Sequence, residues 1–347
     1  MIKPIDIGRP VGPSEPPFVI AELSANHLGS LERALAIVDA AADAGCHAMK
    51  LQTFTPASMT LDMHEGDFHI ADGPWKGRNL WDLYAEAHTP WDWHAKLFEY
   101  GKARGMVVFS TPFDAVAVEQ LDRLGAPAFK IASFEVVDLE LIACAAATNK
   151  PLIMSTGMAS DAEVAEAIET ARMHGNGGVA LLHCVSGYPT PIEQTNLRRM
   201  DAIAKHGTVV GISDHSHGAI VPMAAVARGA AIIEKHLTLA RSDGGPDAGF
   251  SLEPAEMAEV VRGCTSVWQA LGDGSAKRPK VEDNSRNFRR SLYVVADLAP
   301  GEELSRANVR SIRPGFGLAP RELPGVIGKR ARVAITRGTP LAWELIA

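Results

Sequence analysis

Short apolar runs that end in polar clusters recur along this chain. Residues 209–212 lead into Ser213, Asp214 and His215, and residues 230–233 lead into Glu234, Lys235 and His236. Runs of this kind read as strands buried on both faces. The Gly- and Ala-rich stretch between them is long enough for one helix, so the two strands are expected to be parallel, with their C-terminal ends on one rim. The same pattern appears at 18–23, 48–53, 107–111, 128–133, 152–156 and 179–184, giving eight strands in all. Helical patterns fit between them. Ser30 caps one whose Leu31, Leu35, Val38 and Ala42 share a face and which Gly45 stops. Ser160 and Glu163 form a capping-box signature for a helix that ends at Gly175. Pro254 lies in the first turn of a last helix, with Met257, Val260, Val261, Cys264, Val267, Trp268 and Leu271 on its buried side. Eight β/α repeats in about 250 residues predict an α/β fold, a (β/α)8 TIM barrel. A doubly wound sheet fits less well, because no G-x-G-x-x-G follows any strand.

Two segments break the repeat. Between the second and third strands, residues 55–93 hold four of the six tryptophans, Trp75, Trp81, Trp91 and Trp93. Such extra length on a barrel rim is either a lid over a site or a satellite cluster that fastens the insertion down. After Leu271 the pattern changes to short strands at 292–295, 309–312 and 332–335 amid Gly and Pro turns. The expected organisation is a barrel domain over 1–272, a linker over 273–290 and a small β-rich domain over 291–347.

Composition narrows the classes. A net charge of -7 provides no basic field for nucleic acid. No apolar run has the form of a signal peptide or approaches membrane-spanning length. The four cysteines are scattered without C-x-x-C spacing, as expected of reduced core thiols in a cytoplasmic protein.

On a barrel, polar strand ends converge on the C-terminal face. Here they are Glu22; Lys50 and Gln52; Ser110 and Thr111; Lys130, Ser133 and Glu135; Ser155 and Thr156; His183 and Ser186; Ser213, Asp214 and His215; Glu234 and His236. His215 and His236, in register on neighbouring strands beside carboxylates, suit a divalent metal. Two lysines among hydroxyls suit a phosphate or carboxylate. A buried Lys50 or Lys130 could instead act as a Schiff-base nucleophile, so a metal-dependent reaction and a barrel aldolase both stand. His27 and His217, in rim loops, remain open as further ligands. His47, His64, His69, His94, His174 and His206 read as surface or helix residues. Asp247, in the loop after the eighth strand, is either a sugar ligand or base, or an ordinary turn residue.

With these residues placed, the chain resembles the N-acetylneuraminate (sialic acid) synthase family over nearly its whole length. The motifs are IAELSANH, KLQTFTP, FSTPFD, FKIAS, IMSTGMA, LLHCVSGYPTP, GISDHS, IEKHLTL and GGPDAGFSLEP, with a tail from RRSLYV through SIRPGFG to IGKR that resembles the antifreeze-like (SAF) domain. EAHTPWDWHAKLFEYGKARGMVVFSTPFD, FKIASFEVVDLELI and the Phe250-containing DAGFSLEP most resemble the pseudaminic branch. The resemblance implies condensation of phosphoenolpyruvate with an N-acylated amino sugar, 2,4-diacetamido-2,4,6-trideoxy-altropyranose in that branch. It implies His215 and His236 as ligands of Mn, Co or Mg, and Glu22, Lys50 and Lys130 as further catalytic residues. Ser133, Ser155 and Ser213 would help hold phosphoenolpyruvate, and Gln52, Glu135, Tyr188 and Asp247 the sugar, with Thr111, Ser186 and Glu234 also lining the pocket. Phe288 and Arg313 would join the substrate site, Arg313 from the tail of the other subunit of a domain-swapped homodimer. Neither nucleic acid nor membrane is an expected partner. The chain departs from the family pattern at Leu28-Gly29 after His27 and at His217 after DHS.

Overall fold

Eight parallel strands close into a barrel in the computed structural model, which describes residues 2–347. They are β1 (Phe18–Glu22), β2 (Ala48–Thr53), β3 (Val107–Pro112), β4 (Phe129–Ile131), β5 (Leu152–Ser155), β6 (Val179–Cys184), β7 (Val209–Ser213) and β8 (Ile232–His236). Each pairs with its neighbours in chain order, and β8 closes on β1. The TIM barrel read from the sequence is therefore the fold.

The two-residue period of a strand sorts each run into an inner and an outer set. The outer set, including Val19, Ala21, Met49, Leu51, Phe129, Met154 and Ile233, packs with the surrounding helices in one large core. The inner set, including Phe18, Ile20, Ala48, Phe109, Ile153, Leu182 and Ile232, joins Ile5, Ile7 and Val11 of an N-terminal hairpin (Ile5–Asp6 with Pro10–Val11). That second cluster fills the lower barrel with apolar side chains and leaves polar inner positions at the C-terminal ends. Register sets their height, since Glu22 lies opposite both His236 and Lys50, and Glu234 opposite Ser213.

The helices follow the capping signals. Ser30 accepts the Arg33 amide at 3.2 Å ahead of Leu31–Asp43, and Ser160 and Glu163 complete a capping box ahead of Asp161–His174. Pro254–Leu271 buries Met257, Val260 and Cys264, with Val261, Val267 and Trp268 partly buried, whereas Leu271 is 51% exposed. The expectation for Leu271 fails because it ends the helix at the last residue before Gly272, where nothing packs over it.

The chain divides after Gly272, and Asp273–Ala347 is a second unit with its own core of Leu292, Val294, Leu298, Leu304, Val309, Val326, Ala331, Ile335, Leu341 and Ile346. It contains one antiparallel pair, β9 (Ser291–Val294) and β10 (Val309–Ile312). The third strand expected at 332–335 is absent. Ala331 and Ile335 make isolated bridges to Ile346 and Leu298, so the segment turns its backbone to two partners instead of running along one. Residues 280–288 form two exposed 3-10 turns. Among the described residues no helix is long and apolar enough to cross a membrane.

Candidate active site

The inner strand ends carry two lysines and two carboxylates, all buried. Lys50 forms an ion pair with Glu22 and lies 3.9 Å from Glu234; Lys130 lies 3.6 Å from Glu234. Hydroxyls complete the layer. Lys50 donates to Thr111 at 3.2 Å, Lys130 to Ser155 at 2.7 Å, and Ser213 to Glu234 at 2.9 Å. Burial raises the Glu22 carboxyl, with Lys50 pulling it down. Burial alone would lower Lys50, but Glu22 and Glu234 hold it above its ordinary value. Burial opposes ionisation of Glu234, yet Lys130 and Lys50 carry it below the usual carboxylate range. Lys130 is lowered by burial, against the attraction of Glu234. Removing one member would strand a buried charge, a cost of about 3–5 kcal/mol. Lys50 stays a cation here, the opposite of what a Schiff-base nucleophile needs.

Beside Lys130 is a small cradle of donors. The Gly157 amide donates to Ser133 Oγ at 3.1 Å. A Cβ at Gly157 would come within 2.5 Å of Ser186 Oγ and 2.7 Å of Ser133 Oγ, so the glycine is what lets both hydroxyls close over that turn. Met158 next to it has φ +64°, a left-handed conformation uncommon for a residue with a side chain. An ammonium group with hydroxyls around an open backbone turn suits an oxyanion.

Across the pocket the two histidines meet as the strand pairing requires. The ring centroids of His215 and His236 are 5.3 Å apart. His215 Nδ1 is 3.1 Å from the Val185 carbonyl, leaving Nε2 toward the pocket, and His236 Nδ1 is buried with no hydrogen-bond partner. Among the described residues no group of three or more His, Cys, Asp or Glu side chains converges as a metal cage. The chain thus fits a divalent ion with two imidazole ligands, one fixed by its backbone contact and one with an unused nitrogen, other positions being left to substrate or water. Tyr188 lies 4.4 Å from His215 with the two rings tilted by 51°, and Phe250 lies 4.9 Å from Tyr188 and 5.0 Å from His236. These rings form an apolar wall.

Polar groups adjoin the wall. Asp247 is buried, bonded through its carboxylate to Ser24 Oγ and, at 3.3 Å, to the Ala25 amide, and burial raises its pKa. Gln52 donates to the same Ser24 hydroxyl at 3.2 Å. Glu135 keeps Oε2 buried without a partner, and burial pushes its pKa up to about 7.

Several candidates lie elsewhere. Ser110 and His183 occupy outward positions: Ser110 bonds Thr53, which bonds the buried His94, and His183 lies 2.7 Å from the Thr195 carbonyl. Thr156 donates to the Leu182 carbonyl. His27 is buried with both ring nitrogens engaged, by the Ala87 carbonyl and the Gly29 amide, and His217 is exposed, so neither joins the imidazole pair. His94 opens the helix His94–Ala103, as one of the two readings had it, and is fully buried there, and His47, half-buried, accepts the Val19 amide. Phe288 and Arg313 belong to the second unit, where both are exposed on neighbouring turns joined by a Gly315-to-Asn287 hydrogen bond. Four contributors were not singled out from the sequence. Ser24 joins Asp247 to Gln52, and Gly157 opens the cradle. Cys184, taken for a plain core thiol, lies 4.0 Å from His215 Nδ1. Lys235 is buried on the outer side of β8 and pairs with Asp214 at 2.9 Å, each the chain neighbour of one of the two histidines. Alternation along β6 and β8 signals the sides taken by Cys184 and Lys235; nothing local signals Ser24.

Known proteins share this arrangement of chain. A family model described as the NeuB family matches residues 37–276, and one for the SAF domain matches 289–347. A pseudaminic acid synthase of Helicobacter pylori is 40% identical over 332 residues, covering 95% of this chain and 98% of its own. An N,N'-diacetyllegionaminic acid synthase of Legionella pneumophila is 34% identical, with 97% of each chain covered. The crystal structure of N-acetylneuraminic acid (sialic acid) synthetase from Leptospira borgpetersenii superposes with a TM-score of 0.72 at 32% identity, over 80% of this chain and 92% of that one. With a matched family region over most of the barrel and relatives aligned from end to end, the chain belongs to the NeuB family.

Proposed function

We propose that this chain is a pseudaminic acid synthase, condensing phosphoenolpyruvate with the open-chain aldehyde of 2,4-diacetamido-2,4,6-trideoxy-altropyranose. The observation that carries the reading is the buried layer in which Lys50 and Lys130 share Glu22 and Glu234 beside two imidazoles. The identity to pseudaminic acid synthases over nearly the whole chain supports the choice of sugar.

Lys50 and Lys130, with Ser133, Ser155, Ser186 and Ser213, hold the phosphate and carboxylate of phosphoenolpyruvate. Thr111 and Glu234 orient the two ammonium groups. Gln52, Glu135, Tyr188 and Asp247 hold the sugar, with its aldehyde toward His215 and His236. A divalent ion (Mn, Co or Mg) on those imidazoles would supply Lewis acidity toward the aldehyde oxygen. Carbon 3 of the enol bonds to the aldehyde carbon, water adds at carbon 2, and the bond from carbon 2 to the phosphate oxygen breaks. Glu22, beside Lys50, gives a proton to the new alkoxide and takes one from the adding water, a role that its raised pKa favours. The exposed Phe288 and Arg313 are read as reaching the barrel of a second subunit in a homodimer. With four free thiols the enzyme is read as cytoplasmic.

The test follows inorganic phosphate from phosphoenolpyruvate and Mn2+ with each candidate sugar, with and without chelator. We expect release with the altro diacetamido sugar, abolished by the chelator and restored by added metal. Release with only N-acetylmannosamine or the legionaminate precursor would keep the chemistry and overturn the sugar. Borohydride trapping of pyruvate on a lysine, with activity indifferent to chelator, would replace the reading with an aldolase.

A further inference from the structure

The tryptophan-rich insertion divides its work. Trp91 donates to the Phe54 carbonyl at 3.1 Å, and Trp93 packs edge-on against the buried His27 at 5.5 Å, so these two fasten the insertion to the barrel. Trp75 makes neither contact. Its indole N–H donates to the Pro246 carbonyl at 2.9 Å, and its ring lies 5.6 Å from Tyr188. It thereby extends the wall that runs from His236 and His215 through Phe250 and Tyr188, as the ring furthest from the imidazoles. Pro246 precedes Asp247, so the same hydrogen bond ties the insertion to the loop carrying the sugar-facing carboxylate. Gly245 makes that loop possible: at φ +104° it packs where a Cβ would meet Leu28 at 2.3 Å.

An open-chain acceptor whose carbon 1 lies at the imidazoles has its terminal carbon at the other end of the pocket. At the Tyr188 end of the wall two kinds of surface are on offer: the Asp247 carboxylate, joined through Ser24 to Gln52, which suits hydroxyl and amide groups, and the indole of Trp75, held beside Asp247 by its bond to Pro246. We propose that Trp75 is a specificity-determining residue that selects acceptors ending in a methyl group over those ending in hydroxymethyl. The inference rests on the pseudaminic reading of the site. An indole face rewards burial of a methyl and offers a hydroxyl no partner, because its one donor is already committed to Pro246. Discrimination by one such group in an apolar pocket amounts to about 10–100-fold.

The experiment compares full-length wild type, Trp75→Phe and Trp75→Ala on two acceptors that differ only at carbon 6: the trideoxy altro sugar and its 6-hydroxy counterpart. Phosphate release gives kcat and KM for each. Wild type is expected to prefer the deoxy sugar about 10-fold or more in kcat/KM, and Trp75→Ala to bring the ratio to within about threefold of unity. The change should fall on the KM of the deoxy sugar, with the KM for phosphoenolpyruvate unmoved. Trp75→Phe, which keeps an apolar ring and loses the N–H, should retain most of the preference. A ratio in Trp75→Ala equal to that of wild type, or equal losses on both acceptors, overturns the inference alone. Wild type that releases phosphate with neither altro sugar but does so with N-acetylmannosamine overturns the functional reading and this inference with it.

Discussion

Glu135 shows how one residue couples burial to pH. Its carboxyl titrates near 7 because burial disfavours the anion, against an ordinary value of 4.5. A raised acid binds its proton more tightly in the folded chain, so the stability it contributes is full below about 4.5 and is lost as pH rises to about 7. Replacing it with a neutral isostere removes that dependence. Glu135→Gln is therefore expected to gain stability relative to wild type between pH 5 and pH 8, on the order of 1–2 kcal/mol. Denaturant titrations of both proteins at a series of pH values measure this, and a difference that is flat with pH would refute it. At this scale much of the site was legible. Glu22, Lys50, Lys130, His215 and His236 stand at strand ends, and a barrel brings strand ends together whatever lies between them in sequence. Ser110 and His183 were misjudged because neighbours along a strand face opposite sides, and an apolar run does not announce which residue faces in. Ser24 was missed because its partner, Asp247, is brought close only by the closure of β8 on β1.

Among the elements, the turn after β5 carries the most chemistry for its size. Gly157 is boxed by Ser133 and Ser186, and the atoms a Cβ would strike are hydroxyl ends that can swing aside. A methyl group there should leave the barrel folded while displacing the two donors offered to an oxyanion. Gly157→Ala is expected to raise the KM for phosphoenolpyruvate about tenfold, as the loss of one or two hydrogen bonds to a charged group implies, with little change in Tm. Unchanged KM would remove the turn from the phosphate site. The barrel elements themselves were readable because the strands are short runs, mostly apolar, that end in polar residues, and some helices begin at a recognisable cap, as at Ser30 and Ser160. The second unit was harder. Its core is assembled from single residues on successive turns, such as Leu298, Leu304 and Ile335, and isolated bridges have no periodicity to detect.

For the molecule as a whole, the question is whether a site is completed by one chain or two. Arg313 and Phe288 lie in the unit formed by Asp273–Ala347 and are exposed there, Phe288 by 65%, alongside Phe316 at 64%. The functional reading gives these residues to the barrel of a partner, and that is a statement about symmetry which two inactive variants can test. Glu22→Gln disables a barrel, and Arg313→Ala disables a tail. Mixed after mild dissociation, the two chains form heterodimers in about half of all pairings. If the tail acts in trans, each heterodimer holds one site with an intact Glu22 and an intact Arg313 and one site with neither. The mixture should then recover about a quarter of wild-type turnover, although each variant alone is inactive. If the tail serves its own barrel, every site in the mixture lacks one group and no activity returns. Activity measured against the mixing ratio, with a maximum at equal amounts, distinguishes true complementation from residual activity in either variant.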